Sequence, residues 1–483
     1  MEDVLNSAIN RYLVDHEQQM MCAISGALAI PSVLDLSTVA PDAPFGRPIE
    51  DALRYVLSVA NWLGFPSENV DHLVGRARFG GSGKEYAVLS HLDVVPAGTG
   101  WTVPPFAATL REGRLYGRGS IDDKGPAIAS IFALAAVRSA LETAGIEPSH
   151  AILLLFGTDE ESDWRDMEYY RAHHGLPSSG FSPDGDFPIV NGEKGILGLR
   201  LASMKGAGSM LKTAKGGTRV NVVPQHAEAV IAATQDRLMT LLDVAATSRR
   251  DDGFIVNARG SGDEVTVSVD GSSAHASTPA KGKNAITRLL GILDSAGVLQ
   301  GLPMLQFIAR SVGMDWTGRD LGVNLSDQIS GGLTLNVGVL DWNDGAGSID
   351  IDIRYPLTSS KSSVMGILGP LLTTTASAVT ILDDTPPHFV APSSSLIATL
   401  GRAYREHTYA EPRCVSIGGG TYARLIPDAV AFGPAFPGHP TTEHGPDEYI
   451  ELDDLLVATR IYASAMLALL TGQADTLGGR TVV

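Results

Sequence analysis

The sequence predicts an α/β fold, in which a domain with a mostly parallel sheet is interrupted by an inserted α+β domain. Two observations predict it. Apolar strands alternate with helices before residue 192 and again after residue 387, as in a parallel sheet covered by helices on both faces. Between these stretches lie shorter alternating segments such as "DEVTVSVDG" and "GSIDIDIRYP", which are typical of antiparallel strands. We therefore predict one domain from residues 1–191 and 388–483, and an insertion over 192–387.

The first segment supplies the clearest elements. Residues 2–29 predict a single helix, and Glu50–Phe65 a second one with helical apolar spacing. The stretches "DHLVGRARFG" and "EYAVLSHLDVV" predict two strands, and the turn "GGSGK" between them predicts a hairpin. A strong helix over Gly125–Gly145, with a proline in its first turn and a glycine at its end, precedes the apolar strand Ala151–Phe156.

The later segments repeat these patterns. Within the insertion, Lys283–Gly297 predicts a helix between alternating strands. After the insertion, the helices "SSLIATLGRAYREHT" and "LDDLLVATRIYASAMLALL" surround the apolar strand "DAVAFGP". This return to helix and strand alternation is why we assign the last segment to the first domain.

Composition limits the classes of partner. The chain has 483 residues, with 36 Lys and Arg against 54 Asp and Glu, a net charge of −18 and no basic tract. Such a balance argues against a nucleic-acid partner. No apolar run reaches the roughly 20 residues of a membrane span, and Met20–Ile30 lacks the basic flank of a signal peptide. Cys22 and Cys414 suit a reducing compartment, so we expect a cytoplasmic protein.

Acidic and histidine side chains follow several predicted strands. His91 and Asp93 end one strand, Asp122 and Asp123 precede a helix, Glu160 and Glu161 follow the next strand, and Asp184 and His444 lie in later loops. Taken singly, each has an ordinary explanation, such as the charge preference of a helix start or a solvated loop. Because the carboxyl ends of parallel strands converge on one crevice, we expect these side chains to meet there.

Mixed imidazole and carboxylate donors suit zinc, with manganese or cobalt as substitutes. Three carboxylates and one hydroxide would be balanced by two divalent ions, so the charge count favours a pair. Asp93, two residues after His91, suits a carboxylate that orients the imidazole.

Seven motifs resemble those of the aminoacylase/carboxypeptidase-type superfamily of co-catalytic zinc peptidases, most closely its bacterial dipeptidase V (PepV-type) branch. They are "SHLDVVPAG", "GRGSIDDKGP", "GTDEESDW", "NGEKG", "SAHAS", "GGGTYAR" and "EHGPDEYI", which occur in family order over both predicted domains. The resemblance implies a metallo-dipeptidase that hydrolyses unblocked dipeptides, including β-alanyl dipeptides. An N-acyl amino acid deacylase, a desuccinylase or a carboxypeptidase of the same superfamily is the alternative.

The resemblance also implies roles for individual residues. The implied ligands of two Zn²⁺ ions are Asp122 as the bridge, His91 and Asp184 on one ion, and Glu161 and His444 on the other. Glu160 would be the general base, and the peptide bond from Asp122 to Asp123 would be cis. His439 lacks the "PDE" that follows His444, and we predict that it lies in a loop and binds no metal.

In the insertion, the resemblance implies a lid. His275 would reach the scissile carbonyl, while Asn221 and Arg354 would bind the substrate. A guanidinium fork suits the free carboxylate of a dipeptide. The length of the insertion resembles the doubled lid of the dipeptidase V branch, which implies a monomer.

Overall fold

The computed structural model describes residues 2–203, 210–232, 243–244, 253–440 and 442–473. The chain divides into two compact units. The first contains Met1–Asn191, Phe389–Val415 and Gly420–Val483, and the second contains Gly192–His388 and Ser416–Gly419. Each combines helices with a large β-sheet, which confirms the predicted α/β class.

The α-helices of the described residues are, in chain order, α1 (Glu2–Asp15), α2 (Glu17–Leu28), α3 (Arg47–Trp62), α4 (Lys124–Ala144), α5 (Arg165–His174), α6 (Ala285–Ser295), α7 (Pro303–Phe307), α8 (Lys361–Leu372), α9 (Ser395–Thr408) and α10 (Leu452–Leu470). Short 3-10 turns cover Pro279–Lys281, Thr373–Thr375 and Tyr422–Leu425, and a π-helical turn covers Ile308–Val312. The prediction of one helix over residues 2–29 is wrong, because the backbone leaves helical values at His16 (φ −113°, ψ 10°).

The strands are β1 (Ser67–Val70), β2 (Val74–Gly80), β3 (Glu85–His91), β4 (Thr109–Arg111), β5 (Arg114–Tyr116), β6 (Ala151–Gly157), β7 (Ser179–Ser182), β8 (Ile189–Glu193), β9 (Gly195–Ser203), β10 (Leu211–Gly216), β11 (His226–Ala232), β12 (Ile255–Ser261), β13 (Glu264–Asp270), β14 (Ser326–Asp327), β15 (Gly331–Gly332), β16 (Thr334–Asn343), β17 (Ala346–Tyr355), β18 (Ala378–Thr385), β19 (His388–Phe389), β20 (Cys414–Ile417), β21 (Asp428–Ala431) and β22 (Tyr449–Glu451).

A nine-stranded sheet runs through the first unit in the order β1-β2-β6-β3-β7-β21-β8-β19, with β20 beside β8. Its centre is parallel: β3 pairs with β6 and β7, and β7 pairs with β21. The predicted hairpin between β2 and β3 is wrong, because β6 lies between them and pairs antiparallel with β2. All seven residues of β6 are buried. An apolar strand of this kind requires a central place in the sheet, where both of its faces are covered.

The helix α4 forms the centre of the core of the first unit, where it packs against α1, α2 and α10. By length and composition α4 could span a membrane. The sequence analysis did not expect this, because it found no apolar run of roughly 20 residues. However, 72% of its most apolar window is buried inside the protein. Its apolar composition is therefore explained by the protein core that surrounds it.

An eight-stranded antiparallel sheet forms the second unit, in the order β12-β13-β11-β10-β16-β17-β9-β18. The helix α6 packs on β11, β13 and β16 and closes a separate hydrophobic core. The antiparallel pairing agrees with the α+β pattern predicted for the insertion.

Candidate metal centre and active site

Two groups of possible metal donors meet in the first unit. One consists of His91, Asp122 and Asp184, and the other of Asp122, Glu161 and His444; within each group the donor atoms all lie within 4.8 Å of one another. Asp122 belongs to both groups. The five residues that the resemblance implied as ligands therefore lie together, although they span more than 350 positions of the sequence.

The parallel centre of the sheet brings these residues together. His91 is the last residue of β3, Glu161 follows β6 and Asp184 follows β7, and these three strands are neighbours. Their carboxyl ends share one edge of the sheet. Asp122 precedes α4, and its peptide bond to Asp123 is cis, as the resemblance implied.

Asp122 presents one carboxylate oxygen to each donor group. Its Oδ1 lies 2.8 Å from Nε2 of His91, and its Oδ2 lies 3.0 Å from Nε2 of His444. The same His444 nitrogen lies 3.0 Å from Oε1 of Glu161. Asp122 therefore has one carboxylate oxygen beside a histidine of each donor group.

The cluster stabilises positive charge. Burial alone would lower the pKa of His91, but its hydrogen bonds with Asp122 and Asp93 and the neighbouring charges raise it well above the usual value. The pKa of His444 is likewise raised, because Glu161 and Asp122 outweigh the effect of desolvation. Although burial opposes ionisation of Asp122, hydrogen bonds from both histidines hold its pKa far below normal. A donor set of imidazole nitrogens and carboxylate oxygens that demands positive charge fits divalent cations.

Asp93 does more than the sequence predicted. Nδ1 of His91 lies 2.9 Å from the backbone carbonyl oxygen of Asp93 and 3.5 Å from its carboxylate. The carboxylate itself accepts hydrogen bonds from the backbone N–H groups of Glu160 (3.1 Å) and Glu161 (2.9 Å). Asp93 therefore orients the imidazole mainly through its carbonyl, while its side chain fixes the loop that carries both glutamates.

Glu160 lies next to Glu161 but belongs to neither donor group. Burial raises the pKa of Glu160 well above the usual value, and the negative charges of Asp184, Glu161 and Asp93 add to this effect. A carboxylate whose pKa is raised accepts a proton more readily, which suits a general base at neutral pH.

A buried ion pair links the loops of Asp122 and His444, and the sequence analysis missed it. The carboxylate of Glu448 binds Arg118 and accepts hydrogen bonds from the N–H groups of Gly119 (2.9 Å) and Ile121 (3.3 Å). Both members of the pair are at most 1% exposed. They hold in place a loop in which His444 adopts a φ of 62°, an uncommon value for a residue other than glycine. Their positions inside the quoted motifs "GRGSIDDKGP" and "EHGPDEYI" were a signal that could have indicated them.

The predicted substrate-binding residues lie in the second unit. His275 and Asn221 are close to each other there, because Val222 and His275 form a β-bridge and the N–H of Ala276 donates to the carbonyl of Asn221 at 2.9 Å. The amide nitrogen of Asn336, which the sequence analysis also missed, donates to the carbonyls on both sides of Asn221 at 3.0 Å.

Arg354 is buried and already has partners inside the second unit. Its Nε and Nη2 bind the carboxylate of Asp352 at 2.7 and 2.8 Å, and its Nη1 donates to the carbonyl of Gly418 at 3.1 Å. These three hydrogen bonds leave two of the five guanidinium hydrogens, one on each Nη. Asp352 therefore occupies the side of the guanidinium.

The comparisons with known proteins agree with one another. A family model described as Peptidase family M20/M25/M40 matches residues 87–468. YtjP of Bacillus subtilis (strain 168), whose name marks it as a provisional dipeptidase, is 37% identical over 454 residues, which are 92% of this chain and 95% of that protein. The Beta-Ala-Xaa dipeptidase of Lactobacillus delbrueckii subsp. lactis is 35% identical over 459 residues, or 92% and 94% of the two chains. The solved structure of human carnosine dipeptidase 1 shares the fold, with a TM-score of 0.60 at 16% identity over 96% of this chain and 99% of that one.

Proposed function

The chain belongs to peptidase family M20/M25/M40, and from this premise we propose that it is a dinuclear zinc dipeptidase. Its proposed substrates are unblocked dipeptides, with β-alanyl dipeptides among them, in line with the names of the relatives. The observation that carries the proposal is the pair of donor groups that share Asp122, with Glu160 beside them.

Five side chains would hold the two ions. We assign His91 and Asp184 to one ion, Glu161 and His444 to the other, and Asp122 to both. Imidazole and carboxylate donors suit Zn²⁺, with Mn²⁺ or Co²⁺ as substitutes. The raised pKa values of both histidines support this assignment, because they show that the carboxylates around them demand positive charge.

When bound, the ions supply Lewis acidity, which activates water and polarises a carbonyl group. Glu160 accepts the proton that water loses as its oxygen bonds to the carbonyl carbon of the substrate. When the carbon–nitrogen bond breaks, Glu160 donates this proton to the departing amine, so that a free acid and a free amine leave. Asp93 keeps Glu160 in place through the loop backbone. His275 is proposed to donate a hydrogen bond to the carbonyl oxygen, and Asn221 and Arg354 are proposed to bind the rest of the substrate.

A substrate panel tests the function. Purified protein loaded with Zn²⁺ or Mn²⁺ should hydrolyse α-linked and β-alanyl dipeptides, and it should leave N-acetyl and N-succinyl amino acids intact. The Glu160→Gln variant, prepared identically, serves as the control for contaminating peptidases. If the protein hydrolysed only acylated amino acids, it would be a deacylase and not a dipeptidase. If the metal-loaded wild type hydrolysed no amide at all, the proposed function would be wrong.

Arg354→Lys should raise KM for dipeptides with a free carboxylate by about 10- to 100-fold, the loss expected for charge-assisted hydrogen bonds. Lysine keeps the positive charge beside the buried Asp352 but loses the planar fork. Hydrolysis of the same dipeptides with an amidated carboxyl terminus should change little, so steady-state kinetics on both substrate forms measures the effect.

Arg200→Lys is the matched control, because Arg200 binds Asp350 through the same two nitrogens, both at 2.7 Å, in the same sheet. It should leave KM unchanged for both substrate forms. An equal loss on free and amidated dipeptides in Arg354→Lys would contradict the assignment of Arg354 to the substrate carboxylate.

A further inference from the structure

The two glutamates of the active site lie on a short loop between β6 and α5, which we call the carboxylate loop (Thr158–Trp164). Asp93 holds its middle through the backbone of Glu160 and Glu161. A second set of contacts, made by residues outside the donor groups, holds its two ends. These contacts are made by Asp166 and Tyr422.

Asp166 fixes the beginning of the carboxylate loop. This fully buried side chain accepts hydrogen bonds through Oδ2 from the N–H groups of Thr158 and Asp159, the latter at 3.2 Å. Its Oδ1 accepts from the N–H of Met167 at 2.6 Å. The hydroxyl of Tyr422 donates to the same Oδ2 at 2.7 Å and so completes the partners of this oxygen.

The ring of Tyr422 contacts the rest of the site. Its centroid lies 5.3 Å from the ring of Trp164, at the end of the carboxylate loop, and 6.5 Å from the imidazole of His91, both with an edge-on geometry. The indole nitrogen of Trp164 in turn donates to the backbone carbonyl of Glu160 at 2.7 Å. Tyr422 therefore connects the start of the loop, the end of the loop and a donor residue on β3.

The close fit depends on a glycine. Gly157 is the last residue of β6, and a Cβ atom placed there would lie 2.4 Å from the ring of Tyr422 and 2.6 Å from its hydroxyl. Such distances are not compatible with any side chain, so the sequence leaves room at this position for the hydroxyl to reach Asp166.

We propose that Tyr422 and Asp166 are positioning residues, which hold the carboxylate loop so that Glu160 and Glu161 keep their places beside the donor groups. The inference deepens the proposed function and rests on it for the role of Glu160. Removing the Tyr422 hydroxyl leaves Asp166 with its three backbone donors, so the loop stays attached at its start but loses its alignment with the ring. The expected consequence is a displaced loop in a folded protein.

Tyr422→Phe is the test. We expect kcat for dipeptides to fall about tenfold with KM unchanged, and the affinity for one of two Zn²⁺ ions, measured by titration of metal-free protein, to fall about tenfold as well. In a Glu160→Gln background, assayed at a Zn²⁺ concentration that saturates both sites, the additional substitution should cause no further loss of the residual turnover. If it lowers this residual turnover by the same factor, Tyr422 does not act through Glu160 and the proposal is wrong.

Tyr170→Phe is the matched control. Tyr170 is a buried tyrosine of the same hydrophobic cluster, and its hydroxyl contacts Nη1 of Arg76 at 3.5 Å, away from the carboxylate loop. It should leave kcat and Zn²⁺ affinity unchanged, and its melting temperature should match that of Tyr422→Phe. Equal kinetics and metal binding in the two variants would overturn the proposal, as would losses in Tyr422→Phe that only follow a lower melting temperature.

The metal titration separates this proposal from the proposed function. If the wild type hydrolysed no dipeptide, the proposed function would fail, yet a weaker Zn²⁺ affinity in Tyr422→Phe would still show that Tyr422 positions Glu161. Asp166→Asn provides a second variant, which keeps one oxygen acceptor for the loop and should weaken Zn²⁺ binding in the same direction. Unchanged Zn²⁺ binding in both variants would contradict the positioning of Glu161.

Discussion

Replacing Glu160 with glutamine should lower kcat by about 10²–10⁴-fold, the range expected when a general acid–base group is removed. The side chain keeps its size and its place on the carboxylate loop, because the backbone of Glu160 is held by Asp93 and Trp164. Only the ability to accept a proton is lost. Since Glu160 lies outside both donor groups, elemental analysis should find the same metal content as in the wild type.

The control for this prediction lies on the same loop. Asp163 is a carboxylate three residues away whose side chain is 74% exposed, so Asp163→Asn removes the same charge from the loop without touching the site. It should leave kcat and metal content unchanged. Wild-type turnover in Glu160→Gln, or a loss of metal together with activity, would show that Glu160 is not the general base.

The location of the candidate site was predictable because it depends on a general property of parallel sheets. His91 ends β3 and Glu161 follows β6, two buried and largely apolar strands, and such strands favour parallel neighbours. Asp184 follows β7, which is buried but reads "SGFS". Once β3, β6 and β7 are parallel neighbours, the residues after them have to share one edge. This inference did not require the order of the strands within the sheet.

The pairing of β2 and β3 was not predictable from local signals. The short turn "GGSGK" favours a hairpin, but β6 pairs with both strands and separates them. Because all of β6 is buried, it gains more from a central position than a hairpin would gain from its turn. The residues of a turn cannot reveal that a strand about 70 positions further along the chain pairs with both of the strands beside that turn.

The missed residues fall into two kinds. The contact between Tyr422 and Asp166 joins positions 256 apart, and no spacing rule connects them. In contrast, the pairing of Arg354 with Asp352 was available from the sequence, because residues i and i+2 of a strand point to the same face. The stretch "DIDIRY" therefore already indicated a guanidinium with an internal partner.

Asp122→Ala should remove both ions and, with them, the activity. Asp122 gives one oxygen to each donor group, with Oδ1 2.8 Å from His91 and Oδ2 3.0 Å from His444, so a single substitution takes a ligand from each ion. It also removes the charge that draws positive groups into the cluster, since hydrogen bonds from both histidines hold the pKa of Asp122 far below normal. Elemental analysis after exhaustive dialysis against metal-free buffer measures the outcome, with Asp163→Asn as the control.

The number of ions lost separates a bridge from an ordinary ligand. His91→Ala takes a donor only from the first group and Glu161→Ala only from the second, so each should retain close to one ion per chain. Asp122→Ala should retain close to none. Two ions still bound in Asp122→Ala would contradict the shared carboxylate, and one ion would assign Asp122 to a single group. The proposed dinuclear centre depends on this difference, because a carboxylate common to both groups would place one negative charge beside both ions.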